Sequence, residues 1–232
     1  MPVADALLLA VGLLLVSFVP PILLVLRVRN AERSRREPWR ALLHAFLWGA
    51  IGAAGIAMLA ELLLTGGAEG DLLLGTISLV SVVAAPVIEE SAKAVGLLGV
   101  RDLDPEPEDG LIYGAAAGLG FAATENVFYV AGAFLLGGSD LALVTALYRG
   151  VATVALHGAA TAISGYGIWA SRFHTVQGTW IGGLLMAIAL HAAYNLLAGI
   201  DALWALVAAV ALALFAFSRV LRRVRHLDAR AA

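Results

Sequence analysis

Residues 3–26 read VADALLLAVGLLLVSFVPPILLVL, and residues 27–40 that follow read RVRNAERSRREPWR. The first stretch carries one charged residue, Asp5, and as a helix rising 1.5 Å per residue it crosses a hydrocarbon core about 30 Å thick. No basic residue precedes it, and its apolar run is too long for the core of a cleavable signal, so a retained span is expected. The second stretch is its opposite, with Arg27, Arg29, Arg33, Arg35, Arg36 and Arg40 in one short loop. Composition repeats the contrast along all 232 residues: 61% are apolar and only 14% charged. With a mean hydropathy of +0.91, there is too little charge to cover a water-facing surface. A soluble enzyme, a nucleic-acid binder and a disordered chain are excluded. The net charge of −2 decides nothing, and with no cysteine there is no disulfide framework, thiol nucleophile or thiolate metal site.

The pattern predicts an all-α, polytopic bundle, one integral membrane domain over residues 1–232, with seven spans near 3–26, 41–64, 72–100, 111–136, 141–169, 180–199 and 202–218. Trp39, Trp169, Trp180 and Trp204 fall near span ends, where amphipathic rings settle. Gly114-Ala-Ala-Ala-Gly118 is a close-packing pattern for two helices. Seven spans place the arginines of loop 27–40, Arg101, Arg172 and the tail arginines Arg219, Arg222, Arg223, Arg225 and Arg230 on one side. The other side shows Asp5, Glu69, Asp71, Asp140 and Asp201 instead. Positive residues stay cytoplasmic, so the N-terminus is expected outside and the C-terminus inside a cell membrane.

Two basic residues fall within spans: Arg149, and Lys93, the only lysine. With them are Glu89, Glu90, Glu125, His157, His191 and Asn195. A charge at mid-membrane costs about 2.5 kcal/mol or more on insertion scales, so such groups face a bundle interior or water. Singly each could be a structural ion pair; on four consecutive helices that reading weakens. Counted from the arginine-bearing ends, Glu89, His157 and His191 lie about 16 Å deep and Glu125 about 21 Å, one layer within the error of the boundaries. Arg149, about 12 Å from the opposite face, can snorkel or pair with a glutamate. Spacing adds detail: Lys93 can reach Glu89 (i, i+4) or Glu90 (i, i+3), and Phe121–Glu125, His157–Thr161 and His191–Asn195 each share a helix face. Adjacent glutamates diverge by about 100°, so one faces a site and the other a partner. Pro86 removes a helical hydrogen bond just before the pair.

Carboxylates and imidazoles inside a bilayer suit hydrolysis of a membrane-embedded bond, with one glutamate as general base. The H-E-x-x-H zinc helix is absent, no pair of aspartates lies in the spans, and Ser164-Gly165 lacks the G-x-S-x-G frame. A glutamate-based or Glu/His metal-based hydrolase remains.

At these residues the sequence resembles the PrsW family of intramembrane proteases, distant relatives of the type II CAAX prenyl proteases. The resemblance is carried by Glu89-Glu90-Ser-Ala-Lys93, Asp109-Gly-Leu-Ile-Tyr-Gly114, Phe121-Ala-Ala-Thr-Glu125-Asn126, Arg149 with His157, and His191-Ala-Ala-Tyr-Asn195, together with Glu37-Pro38. It implies an intramembrane peptidase that cuts membrane-protein substrates, as the family's namesake cuts an anti-sigma factor. By that resemblance Glu89 is the general base on water beside Glu90, and His157 and His191 polarise the carbonyl or hold a metal. Asn195 donates to the oxyanion, and Lys93, Phe121 and Arg149 support them. Glu125 stands where the CAAX relatives have histidine, which leaves it as water partner or metal ligand. The expectation is a metal-independent glutamic mechanism without cofactor. Zinc on Glu125, His157 and His191 is the alternative. A non-catalytic scaffold of the same ancestry, a bis-histidine haem protein and a proton-coupled transporter are competing readings. Expected partners are a single-span or other membrane-protein substrate and the lipid bilayer, with no nucleic acid.

Overall fold

The computed structural model describes residues 3–65, 79–99, 106, 108–173 and 178–231. Glu69, Asp71, Arg101 and the first part of the expected third span lie outside the described residues. Helix α1 (Val3–Arg29) is followed by α2 (Trp39–Leu47), which passes through a π-helical turn, Trp48–Ala53, into α3 (Ala54–Thr65). A second π-helical turn, Val80–Ala84, leads into α4 (Ala85–Leu98). Helix α5 (Asp109–Tyr148) passes through a third, Arg149–Thr153, into α6 (Val154–Phe173), and α7 (Thr179–Gly199) and α8 (Leu203–Ala231) follow.

Among the described residues, five helical stretches are long and apolar enough to cross a membrane: Leu8–Arg29, Trp39–Leu64, Asp109–Phe173, Thr179–Gly199 and Leu203–Arg230. Seven were expected, and the difference arises in two places. Only part of the expected third span is described. The fourth and fifth run together in one 65-residue stretch, Asp109–Phe173. Straight, that stretch would reach about 98 Å, some three times a bilayer core, so it has to fold back. It does so at Gly138, whose φ of 72° and ψ of −161° leave the helical region at a residue with no Cβ to resist.

The two arms of this hairpin pack backbone to backbone. A Cβ on Gly110 would lie 2.6 Å from the Gly165 carbonyl oxygen, one on Gly114 2.4 Å from that of Thr161, and one on Gly118 2.1 Å from that of His157. The G-x-x-x-G pattern is therefore the seam that brings α5 against α6. Every residue from Asp109 to Ala123 is buried, so this half of α5 lies at the centre of the bundle, while α7 packs on the far side against α6. Gly118→Ala is expected to force the arms apart, with a loss of about 1–3 kcal/mol and at least tenfold in activity. Thermal unfolding in detergent checks this against Gly55→Ala, where the added methyl meets nothing within 4 Å.

Helix faces turned away from the hairpin are apolar and exposed, as with Leu14, Leu15 and Leu23 of α1 and Leu185 and Met186 of α7, a surface suited to lipid. Trp39, Trp180 and Trp204 are exposed as expected at a boundary. Trp169 is instead buried and stacked on Tyr166 at 5.8 Å. The last helix continues well beyond residue 218, because Phe217, Val220, Val224 and Leu227 bury one stripe while Arg222, Arg223 and Arg225 stay exposed.

The arginine-bearing ends meet. Asp228 of α8 accepts from the backbone N–H groups of Arg33 (3.1 Å) and Ser34 (3.0 Å), and Arg29 stacks 4.1 Å over Trp39. Tyr113 of α5 donates its hydroxyl to Glu37, which joins two of the sequence motifs. Burial and the neighbouring Glu37 carboxylate push Glu32 up to about 8, and burial also raises Glu108.

Candidate active site

The site begins with a missing hydrogen bond. In the π-helical turn the Ala85 N–H reaches Val80 O, five residues back. At that spacing the Ser81 carbonyl would be met by residue 86, which is Pro86 and has no N–H. Asn195 of α7 supplies the donor instead, with Nδ2 2.8 Å from Ser81 O. The break before the glutamate pair is thus sealed from a neighbouring helix, which fixes α4 against α7.

One turn later α4 presents Glu89 and Glu90, 5% and 0% exposed. The two diverge as adjacent helical residues must. Glu90 points into the bundle and is saturated: it accepts from Lys93 Nζ (2.8 Å), His191 Nδ1 (3.0 Å) and Thr161 Oγ1 (3.0 Å). Glu89 accepts from Lys93 Nζ at 3.0 Å and lines a cavity of about 770 Å³. Lys93, wholly buried, lies 3.7 Å over the centre of the Phe121 ring and 2.9 Å from His157 Nδ1. An ammonium only donates, so His157 Nδ1 is the acceptor and Nε2 carries the proton given to Glu125 Oε2 at 2.9 Å. Glu125 is held in turn by Arg149 Nη2 at 2.7 Å. Arg149 bonds Asn126 Oδ1 at 2.9 Å and lies 3.6 Å over the Tyr129 ring. The rings of His157 and His191 meet edge to face at 4.8 Å.

The residues singled out in the sequence therefore come together. Glu89, Glu125, His157, His191 and Asn195 line the cavity, with Glu90 and Lys93 packed behind Glu89. Two differences matter. Glu61 of α3 also lines the cavity and was passed over. Like Asp5, it lies inside an expected span but near its end, where a charge can reach the interface and does not by itself point to a site. The second difference concerns metal. Glu89, Glu90, His157 and His191 each offer a ligand atom, all within 4.8 Å of one another. The sequence set had Glu125 in place of the two glutamates, but Glu125 sits on the far nitrogen of His157. Two imidazoles with carboxylates suit zinc, and a carboxylate orienting the outer nitrogen of a histidine is the usual support for such a ligand. The donor set fits the metal, with one condition. Lys93 Nζ lies within 3.0 Å of three of these donors, so a bound cation and the ammonium compete for one position.

Residues 37–221 match the sequence model of a family described as PrsW family intramembrane metalloprotease. The chain is also 29% identical over 204 residues to Protease PrsW of Clostridioides difficile (strain 630), covering 84% of this chain and 82% of that one. No solved structure matches it.

Proposed function

The chain belongs to the PrsW family of intramembrane proteases and is a multi-pass membrane protein, and from that premise we propose that it cleaves membrane-protein substrates at the Glu89–Glu90–His157–His191 group. One observation carries this reading: four convergent, buried donor groups, three of which (Glu89, His157 and His191) line a cavity of about 770 Å³. The family's description and this four-donor group support the zinc-dependent alternative better than the metal-independent glutamic mechanism favoured from the sequence. When bound there by the two histidines and a glutamate, zinc would polarise the scissile carbonyl and acidify water.

The protein's own residues have separable tasks. Glu89, at the cavity wall, takes the proton of the attacking water and returns it to the leaving amine. Glu90 accepts from Lys93, His191 and Thr161 and is the glutamate that would join the two histidines on zinc, which leaves Glu89 as the base. Arg149 orients Glu125, which holds the His157 imidazole in one tautomer. Asn195 spends one amide hydrogen on Ser81 and keeps the second for a developing oxyanion. The substrate class is a single-span or other membrane protein entering from the bilayer, with the arginine-rich face of the enzyme cytoplasmic and its N-terminus outside.

The test is a cleavage assay on a library of single-span substrates, with elemental analysis of the purified protein. Stoichiometric zinc is expected, with activity lost after exhaustive chelation and restored by zinc alone. Full activity in metal-free protein would return the glutamic mechanism. No cleavage under any condition, in a folded protein, would favour the scaffold reading.

A further inference from the structure

A second group of carboxylates lies at the arginine-rich end, outside the cavity. Glu32 comes from the α1–α2 connection, and Glu106 and Glu108 from the segment leading into α5. Each offers an oxygen, and these oxygens lie within 4.8 Å of one another. A helix N-terminus accounts for an acidic residue at position 108, since its free N–H groups favour negative charge. It does not account for Glu32, brought from another segment to the same point at 0% exposure.

Glu108 is the telling residue. It is 0% exposed, and neither of its carboxylate oxygens has a hydrogen-bond partner. Glu32 gives one oxygen to the Glu37 N–H at 3.0 Å, and its other oxygen is likewise buried without a partner. Among the described residues, the ion pair made by the group is Arg35 Nη1 to Glu106 Oε1 at 3.6 Å, with Arg35 two-thirds exposed. Arg29, on the same connection, spends its Nε on the Glu37 carbonyl at 2.8 Å. Buried oxygens with no donor are costly, and carboxylates gathered this closely repel. A cation between them removes both costs.

We propose that Glu32, Glu106 and Glu108 form a binding site for a hard divalent cation, Ca²⁺ or Mg²⁺, distinct from the Glu/His group within the membrane. A donor set of carboxylate oxygens alone selects these ions over zinc, which favours imidazole or thiolate. Bound there, the ion ties the α1–α2 connection to the entrance of α5, the helix that carries Phe121 and Glu125. Tyr113 and Glu37, from two of the sequence motifs, brace the same junction.

The experiment uses full-length protein in detergent, stripped of metal, and titrates Ca²⁺ or Mg²⁺ alone while following the unfolding midpoint and equilibrium dialysis. The expected result is one bound ion per chain and a saturating rise of a few degrees, half-complete between about 1 μM and 1 mM. In Glu108→Gln the metal-free midpoint is expected to rise, because repulsion is relieved, while the half-effect concentration rises at least tenfold. The response is expected to survive His157→Ala combined with His191→Ala, which separates it from the zinc group. Glu106→Gln, at the half-buried rim, serves the same purpose should Glu108→Gln fail to fold. Absence of binding up to about 10 mM, or an unchanged response in the glutamine variants, overturns the site and leaves these carboxylates neutralised by protons.

Discussion

Glu89→Gln is expected to abolish cleavage, by about 10³-fold or more, while the protein remains folded and inserted. An amide keeps the shape of the side chain and can still accept a hydrogen bond from Lys93, but it cannot take up the proton of water. Position decides why the loss falls on Glu89 rather than its neighbour. Glu89 lines the cavity, whereas Glu90 is enclosed by Lys93, His191 and Thr161. Glu90→Gln should therefore lose stability together with activity, since an amide cannot satisfy three donors on its two ends. The measurement is single-turnover cleavage beside the unfolding midpoint and zinc content of each variant. A Glu89→Gln protein that keeps its zinc and most of its activity would transfer the base to Glu90 or Glu125.

The largest stability effect is expected from Lys93→Met. Its ammonium is the cation between two buried carboxylates, 3.0 Å from Glu89 and 2.8 Å from Glu90, at 0% exposure. Removing one partner of such a group leaves charge without compensation, at a cost of about 3–5 kcal/mol. The sign with metal is the informative part. Glu89, Glu90 and His157 surround the position of the ammonium, so its removal vacates a place that a divalent cation can take. Zinc is expected to raise the midpoint of Lys93→Met more than that of the parent protein. Equal stability of the two proteins in metal-free buffer would show that Lys93 does not hold the pair together.

Membrane residence was written in residues 3–40 alone, because the cost of exposing apolar side chains or burying arginines is set by composition over some twenty residues. The four-helix layer of ionisable groups was legible for the same reason: helical rise converts residue number into depth. The i, i+4 pairs were equally local, and Phe121 with Glu125, His157 with Thr161, and Lys93 with Glu89 all fall in one connected group of contacts, as the shared faces implied. The Gly114–Gly118 part of the seam was visible as a pattern, though neither its partner nor its extension to Gly110 was.

The tertiary structure decided what depends on rotation about a helix axis and on contacts distant in sequence. Among the described residues, three π-helical turns each add a residue to a helical turn and rotate the faces beyond them, so which glutamate met the cavity could not be read from a regular 3.6-residue period. Glu125 was a possible metal ligand by depth; the approach of α5 to α6 put it instead on the outer nitrogen of His157, with Arg149 behind it. Glu61 enters the cavity wall and Asn195 reaches Ser81 through packing between helices that no local pattern encodes. The acidic group of Glu32, Glu106 and Glu108 likewise exists only because the connection after α1 folds onto the start of α5. Composition and spacing determined that this chain lies in a membrane and which residues share a depth. Close approach of backbones, set by glycine seams and long-range hydrogen bonds, decided which of those residues touch.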